Sequence, residues 1–488
     1  MLLISVAWLA AMALPVTGHC EVTNAEPGAI AIDHDPQLFV DDYLVDNFWG
    51  LEYPAETMTR VFHQPQKDEH NPVIAGDGGY VNVIHDEASG LFRMWYQEYW
   101  DQSLNPRKYT YATAYAESED GIHWKLPVIG KYSFKGTRDN NIVHVGPSGG
   151  DAEGQFLLDL PQEQRRGYRY VMLYLTYESG HRGLHLIGSQ NGIDWDSVSD
   201  VCIAPDFLPD TQNSIVWDTK LQKYVCFTRA VNIYSDGKSG PRRRIARMEH
   251  SKLWEEWPVF PENIVLPDSL DNKNGNDFFY GMPVKYYAGI YWGFLWPFPH
   301  YEDIYTELAF SRDGRNFQRL PDRPRLIDVG PEGAWDHGMV FGSRWVEVGD
   351  QWWLYYSGTD KGHKSHEVKP GIGLARVRKE GFVSLRSPTG GGVVVTRLLR
   401  WPGGRFYVNA DAGLGELTVR ITDYDRKPIS GFDPNPSLPV TGDSVRHEIK
   451  WKDGDIRSLE GHAIRLEFSL KNVVDLYGFR AVPEGQQP

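Results

Sequence analysis

The heptapeptide "SEDGIHW", Ser118 to Trp124, returns downstream as "SQNGIDW" (Ser189 to Trp195) and again as "SRDGRNF" (Ser311 to Phe317). A Ser-x-Asp/Asn-Gly-x-x-aromatic phrase written three times marks a repeated supersecondary unit, and a repeat restricts the fold more than composition can. The surroundings repeat as well. "GYVNVIHDEASG" and "LFRMWYQEYW" precede the first copy, "EGQFLLDLPQEQRRG" and "YRYVMLYLTYES" the second, "FFYGMPVKYYAG" and "IYWGFLWPFP" the third. Each unit reads as strand, tight turn, strand, loop, and a third strand running into the phrase. Two degenerate units complete the series: "SIVWDTKLQKYVCFTRA" with "RRRIARMEHSKLWEEW", and "GMVFGSRWVEVGDQWWLYYSGTD" with "GIGLARVRKEGFVSL". Glu249 and Lys379 hold the phrase position in these two, so positions 118, 189, 249, 311 and 379 follow one another at intervals of 60 to 71 residues. Five all-β units of near-constant length predict a five-bladed β-propeller. The blades fall at about 71–130, 140–200, 205–262, 275–325 and 332–385. The phrase itself is then the turn after the third strand, where Asp-Gly or Asn-Gly supplies the reversal and the Ser hydroxyl and the aromatic ring pin it.

After Leu385 the texture changes. "SPTGGG" reads as a hinge, and 387–488 carries short alternating runs ("VVVTRLL", "RFYVNAD", "GELTVRITD", "HAIRLEFSL") with turn signals between them, the pattern of a β-sandwich. The chain is therefore all-β: a propeller over 28–385, in which 28–70 closes or caps the ring, followed by a C-terminal β-sandwich. A length of 488 residues accommodates two or three domains, and 13% aromatic residues suit large buried strands.

The formal net charge is −15, and the densest basic run, "PRRRIAR" (Pro241 to Arg247), is short. No Lys/Arg stripe of the kind that neutralises phosphates is present, which argues against a nucleic-acid partner. The N-terminal "MLLISVAWLAAMALPVTG" is too short to span a bilayer and reads as a secretory leader cleaved after Gly18, with Val16 at −3. The mature chain is expected to be exported, without a transmembrane segment, periplasmic or extracellular; lipid anchoring at Cys20 is the lesser alternative because His19 fits that signal poorly. In an oxidising compartment Cys202 and Cys226 either form one bridge or stay as two thiols. No Cys/His spacing suggests a metal site. No cofactor is called for, with a structural calcium in the channel left open.

In a propeller, the loops leading into the first strand of each blade and those leaving the second converge on one mouth. The leading loops are "NPVIAGDGG" (Asn71, Asp77), "GGDAEG" (Asp151, Glu153), "LPDTQNS" (Asp210, Asn213), "GNDFFYG" (Asp277, Tyr280) and "GPEGAWDHG" (Glu332, Trp335, Asp336, His337). The leaving loops contribute Glu98, Glu178, Arg229, His300, Asp360 and His363. A mouth ringed by carboxylates and aromatics suits glycoside chemistry, in which two carboxyl groups flank the scissile bond and aromatic faces stack on sugar rings. Asp and Asn also favour loops for local reasons, so no single position is decisive. Asp77, Asp210, Asp277, Glu332 and Asp336 are the catalytic candidates. Asn71, Glu98, Glu178, Asn213, Arg229, Tyr280, Trp335 and His337 are candidates for binding a carbohydrate substrate.

Over residues 70–385 this arrangement resembles the five-bladed propeller glycoside hydrolases: the invertase and levanase group (family 32), arabinanases and β-xylosidases (family 43) and mannoside phosphorylases (family 130). "HNPVI" is similar to the Asp-Pro approach to blade one in those enzymes, and the C-terminal region resembles the invertase sandwich. The resemblance implies an Asp base or nucleophile on blade one, a stabilising Asp and a Glu acid. Because Asn71 stands beside Pro72, the first role would fall to Asp77, the second to Asp210, and the acid to Glu332, Asp277 or Asp336. The chain lacks the Arg-Asp-Pro triplet and the Glu-Cys pair of those families. The expectation is a secreted glycoside hydrolase acting at the end of an oligo- or polysaccharide. The alternatives are a carbohydrate-binding propeller without activity and, with less support, a phosphorylase.

Overall fold

The computed structural model of the chain describes residues 28–51, 57–86, 89–100, 110–134, 136–147, 149–230, 243–365, 367–432 and 437–487. The expected leader 1–18 and Cys20 lie outside them. The structure is a five-bladed β-propeller joined to a second β-domain. Blade one runs from its inner strand Asn82–Asp86 through Leu91–Trp100 and Thr110–Ser118 to the outer strand Ile142–His144. Blade two follows with Glu153–Leu157, Tyr170–Thr176, Gly183–Ser189 and Trp195–Pro205. Blade three comprises Ser214–Asp218, Lys223–Ala230, Arg244–His250 and Glu262–Val265. Blade four begins at Val284–Tyr287 and continues through Ile290–Leu295 to Thr306–Ser311, against which two short strands, Gln318–Arg319 and Arg325–Ile327, both pair. Blade five has three strands of its own, Met339–Val348, Gln351–Thr359 and Pro370–Arg378.

The fourth strand of blade five comes from the other end of the described chain. Gln66 and Lys67 pair with Arg376 and Ala375, and Ile74 and Ala75 with Ile372 and Gly371, so the ring is closed by hydrogen bonds. The expected closing segment is thus confined to these residues. The earlier strands Ile30–Ala31, Gln37–Leu38, Val45–Gly50 and Thr59–Phe62 pair instead with strands that follow blade five. The propeller therefore starts near residue 66 and not at 28. The second domain is built on two long paired strands, Arg405–Thr422 and Ala463–Val482, over a core that includes Phe406, Val419, Leu466 and Phe468.

The repeated phrase folds the same way three times. Ser118, Ser189 and Ser311 each end a third strand, and each hydroxyl accepts from the amide of the glycine three residues on, at 2.9, 2.9 and 3.0 Å. Asp120, Asn191 and Asp313 each accept two further amides through Oδ1. The glycines are needed twice over. Gly121, Gly192 and Gly314 have φ of +74°, +78° and +67°, and a Cβ on Gly192 would lie 2.4 Å from the Trp95 ring. Trp95 Nε1 donates to Gly192 O at 2.7 Å and Tyr355 Oη to Gly121 O at 2.8 Å, so a ring from the preceding blade fastens each of these turns to its neighbour.

Blades packed on both faces explain why strands such as Tyr170–Thr176 are buried at every position and read as continuous apolar runs, not alternations. Cys202 and Cys226 are both free thiols. Among the described residues, no helix is long and apolar enough to cross a membrane.

Candidate active site

The loops leading into the inner strands and those leaving the second strands share one face, where they line a cavity of about 580 Å³. Tyr80, Glu98, Tyr99, Tyr111, Tyr280 and His363 are among its walls. Tyr80 stacks on Trp296 with centroids 5.7 Å apart and an interplanar angle of 6°, which holds one ring rigid at the channel. Burial lowers the His363 pKa, and the Arg243 charge adds to that effect, so this imidazole is neutral.

Beside the cavity, two carboxyl groups come together from adjacent blades. Glu153 is the first residue of the blade-two inner strand and is 4% exposed. Asp210 lies on the loop leading into blade three. Their meeting depends on Gly154: its φ is +63°, and a Cβ there would stand 2.4 Å from the Thr211 carbonyl oxygen. The loop is bent to match, with φ of 53° at Asp210 and 76° at Thr211, a region that non-glycine residues enter at a cost of about 1–3 kcal/mol each. Gly154 N also donates to Gln97 Oε1 at 2.7 Å, tying the strand to blade one.

The two carboxyls are held in opposite protonation states. Burial raises the Glu153 pKa well above the carboxylate range, and the Asp210 charge pushes it further. Burial acts on Asp210 in the same sense but is outweighed by Arg229, with a smaller contribution from Arg243, so its pKa is lowered. Arg229 Nη2 donates to Asp210 Oδ2, Arg243 Nη2 lies 3.9 Å from the same oxygen, and Thr211 N donates to Oδ1 at 2.7 Å. Glu153 thus carries the proton, hydrogen-bonds to Asp210 and accepts from Tyr177. Pairs of titratable groups whose surroundings drive their pKa values apart are the signature of acid–base assignment.

Of the residues singled out in the sequence, the structure gathers Asp210, Arg229, Tyr280 and Glu98 at this mouth. The Arg229 guanidinium lies 5.8 Å and that of Arg243 4.6 Å from the Tyr280 ring centroid. Asp77 sits between the lining residues Gly76 and Gly78 without lining the cavity itself. Asn213 is buried within blade three, where Thr228 Oγ1 donates to it at 2.6 Å. Asp277 takes part through its carbonyl, which accepts from Arg244 at 2.6 Å. Glu178 accepts the Gly150 amide at 2.8 Å.

Glu332 and His337 are exposed on the loop before blade five. Asp336 is buried and turned to the ring closure, 2.5 Å from Lys67 Nζ and 3.0 Å from Tyr356 Oη. Trp335 stacks on Tyr356 at 5.6 Å. Asn71 also serves the closure, with Oδ1 accepting from Leu374 N and Nδ2 donating to Leu374 O, both at 2.8 Å. Glu153 appears among the loop carboxylates in the sequence but without a catalytic role, Arg243 lies in the basic run Pro241 to Arg247 without a site role, and Tyr177 carries no local signal.

A hydrogen-bonded carboxyl pair is too close to flank a glycosidic bond, which needs about 5–5.5 Å for retention or 6.5–9.5 Å for inversion. At that separation the Glu153 carboxyl and the Asp210 carboxylate chiefly set one another's ionisation. Of the carboxylates singled out in the sequence, buried Glu98 lines the cavity itself. Among the described residues no group of three or more His, Cys, Asp or Glu side chains is arranged to hold a metal ion.

No family model matches the chain, and no curated protein matches it. Similar solved structures include an N-acetylgalactosamine deacetylase from F. plautii in complex with blood group B trisaccharide, 13% identical over 66% of this chain and 95% of that one, TM-score 0.44. A family 43 arabinoxylan arabinofuranohydrolase from Bacillus subtilis is 12% identical over 85% of this chain and 98% of that one, TM-score 0.39. A structure from the GH130 family of mannoside phosphorylases and glycoside hydrolases is 16% identical over 69% of this chain and 96% of that one, TM-score 0.42. Likenesses of this depth say nothing about what this chain acts on.

Proposed function

We propose that the chain is an exported glycoside hydrolase in which Glu153 is the general acid. The observation that carries this reading is the carboxyl pair at the propeller mouth: a protonated, buried Glu153 against an ionised Asp210. Glu153 donates its proton to the leaving glycosidic oxygen, Asp210 sets the pKa of that acid, and the tyrosines lining the cavity offer faces to sugar rings. Glu98 is the better placed of the candidates for the opposing carboxylate, ahead of Asp77. Arg243, joining Arg229 beside Asp210, favours one second reading, in which phosphate replaces water as the acceptor.

The test is turnover of the mature chain on a panel of plant and algal oligosaccharides, with and without phosphate, followed by product mass. Glu153→Gln is expected to reduce turnover about 10²–10⁴-fold, the usual contribution of a positioned acid. Asp210→Asn should follow it in direction while the fold survives. Wild-type turnover in both variants would sink the assignment.

A further inference from the structure

The channel has a second mouth at the far ends of the inner strands, and it carries a different chemistry. There a cavity of about 760 Å³ is lined by the ends of inner strands from blades one, two and five, by Lys285 of the blade-four inner strand, and by Arg165 and Arg169 of blade two. Four of its lining residues are cations: Arg165, Arg169, Lys285 and Arg344. Three are carboxylates, Asp86, Asp159 and Glu347, and these are already engaged. Asp86 is paired with Arg169 at 2.7 Å and approached by Arg93 at 3.5 Å. Asp159 is 3.4 Å from Lys285, and Glu347 is 2.8 Å from Lys379. Counting Arg93 and Lys379, six cations meet three carboxylates, on a chain whose formal charge is −15.

The surplus is concentrated in two guanidiniums. Arg165 spends its donors on backbone carbonyls, those of Leu160 and Arg169, and so gains no countercharge from them. Arg344 donates to Leu157 O at 2.6 Å and lies 4.0 Å from the centroid of Phe156, and no carboxylate among the described residues is within ion-pair distance of it. Burial pulls its pKa down to about 10, with only Asp159 opposing the shift. A guanidinium held in that state on a cavity wall is stabilised by any anion that enters. Two further buried donors at the same cavity, Trp345 Nε1 and Tyr170 Oη, have no partner, and Trp345 is 3% exposed.

Resting on the carbohydrate reading proposed above, we infer that this far mouth is a second ligand site, separate from the Glu153–Asp210 mouth, that takes a small saccharide bearing an oxyanion. The recognising chemistry is an oxygen anion, a sulfate, phosphate or carboxylate group, received by Arg344 and Lys285. A cavity of about 760 Å³ is in the range of sites that hold small organic ligands, and a bare inorganic ion would leave most of it empty.

Calorimetry on the full chain at low salt tests this, with galactose 6-sulfate, glucose 6-phosphate and galacturonate as probes, each beside its neutral parent sugar, and with inorganic sulfate and phosphate alone. At least one acidic sugar is expected to bind at least tenfold more tightly than its neutral parent and than the free anions. Arg344→Met, which keeps an unbranched side chain against Phe156, and Lys285→Gln, which gives up the pairing with the exposed Asp159 at 3.4 Å, should each weaken that binding by roughly 10- to 150-fold, the worth of a hydrogen bond to a charged group. Arg243→Gln at the other mouth should leave it unchanged. Free sulfate or phosphate binding as tightly as the sugars would overturn the inference, as would binding lost in Arg243→Gln but retained in Lys285→Gln. Absence of binding by every acidic probe at about 1 mM overturns it too. None of these outcomes bears on hydrolysis at the first mouth.

Discussion

Replacing Asp336 by Asn separates the two roles a loop carboxylate can have in this ring. As a catalytic group it would be dispensable for folding; as the structure places it, it fastens the closing strand. Its side chain is 5% exposed and sits 2.5 Å from Lys67 Nζ, while Tyr356 Oη donates to it at 3.0 Å. Removing one partner of a buried pair costs about 3–5 kcal/mol, mostly because the other charge is stranded. The Lys67 side chain is 31% exposed and can turn to solvent, which brings the cost of Asp336→Asn down to about 2 kcal/mol. Lys67→Met leaves the buried carboxylate unpaired and should cost more, about 3 kcal/mol or above. Urea unfolding gives these differences, and hydrogen exchange localises them. Protection should fall first where Gln66 and Lys67 pair with Arg376 and Ala375, before the rest of blade five opens. Turnover per folded molecule should be unchanged. An Asp336→Asn protein with wild-type stability and no turnover would refute this reasoning and return Asp336 to the catalytic set.

Two further predictions rest on the same packing. Gly192→Ala should destabilise the chain by about 2–4 kcal/mol in urea unfolding, because alanine meets both the left-handed backbone and the Trp95 ring; alanine at exposed Gly167, where a Cβ meets nothing within 4 Å, should cost less. Blade two should also lose stability in alkali. Burial alone would lower the His185 pKa, but hydrogen bonds to Asp200 and Cys202 raise it to about 9. Its stabilisation, on the order of 3 kcal/mol, is fully present below the unfolded value near 6.5 and is lost as pH rises through about 9. Urea midpoints at the two ends of that window should differ in the wild type and converge in Asp200→Asn.

Much of the ring was legible because its information is local. Ser118, Asp120 and Gly121 satisfy one another within four residues, so the turn can be read from a heptapeptide and the blade counted from its recurrence. Long-range pairing was less legible. The outer strand of blade one, Ile142–His144, lies beyond the expected blade boundary near 130, and the strands between Ile30 and Phe62 left the propeller for the second domain. Both outcomes turn on which distant edge offers the better partner, and no local pattern records that. For the site, counting loop carboxylates located the mouth but could not rank its members. Glu332 and Asp336 are four residues apart, yet one is exposed and the other ion-paired at the closure. Glu153 stood in the same set with nothing to distinguish it. The role proposed for it rests on a glycine that lets a distant carbonyl approach.

That approach makes Arg229 the residue on which the site's electrostatics turn. Asp210 and Thr211 are held in left-handed backbone, and Asp210 stays ionised in a buried place because Arg229 supplies the largest opposing effect. With Arg229→Gln, burial is no longer outweighed, since Arg243 at 3.9 Å contributes less, and the Asp210 pKa must rise. Asp210 then competes with Glu153 for the shared proton, and the electrostatic push on Glu153 weakens. The pH profile of kcat/KM should respond on both sides. On the proposed assignment, wild-type activity should fall in acid as Asp210 protonates and in alkali as Glu153 loses its proton. In Arg229→Gln the acid limb should move to higher pH and the alkaline limb to lower pH, narrowing the bell, whereas a merely structural role for Arg229 would lower its height and leave both limbs in place. Arg243→Gln should shift the limbs in the same directions by less. An unmoved acid limb in Arg229→Gln would show that Asp210 does not govern the ionisation that matters, and the acid would have to be sought elsewhere around the mouth.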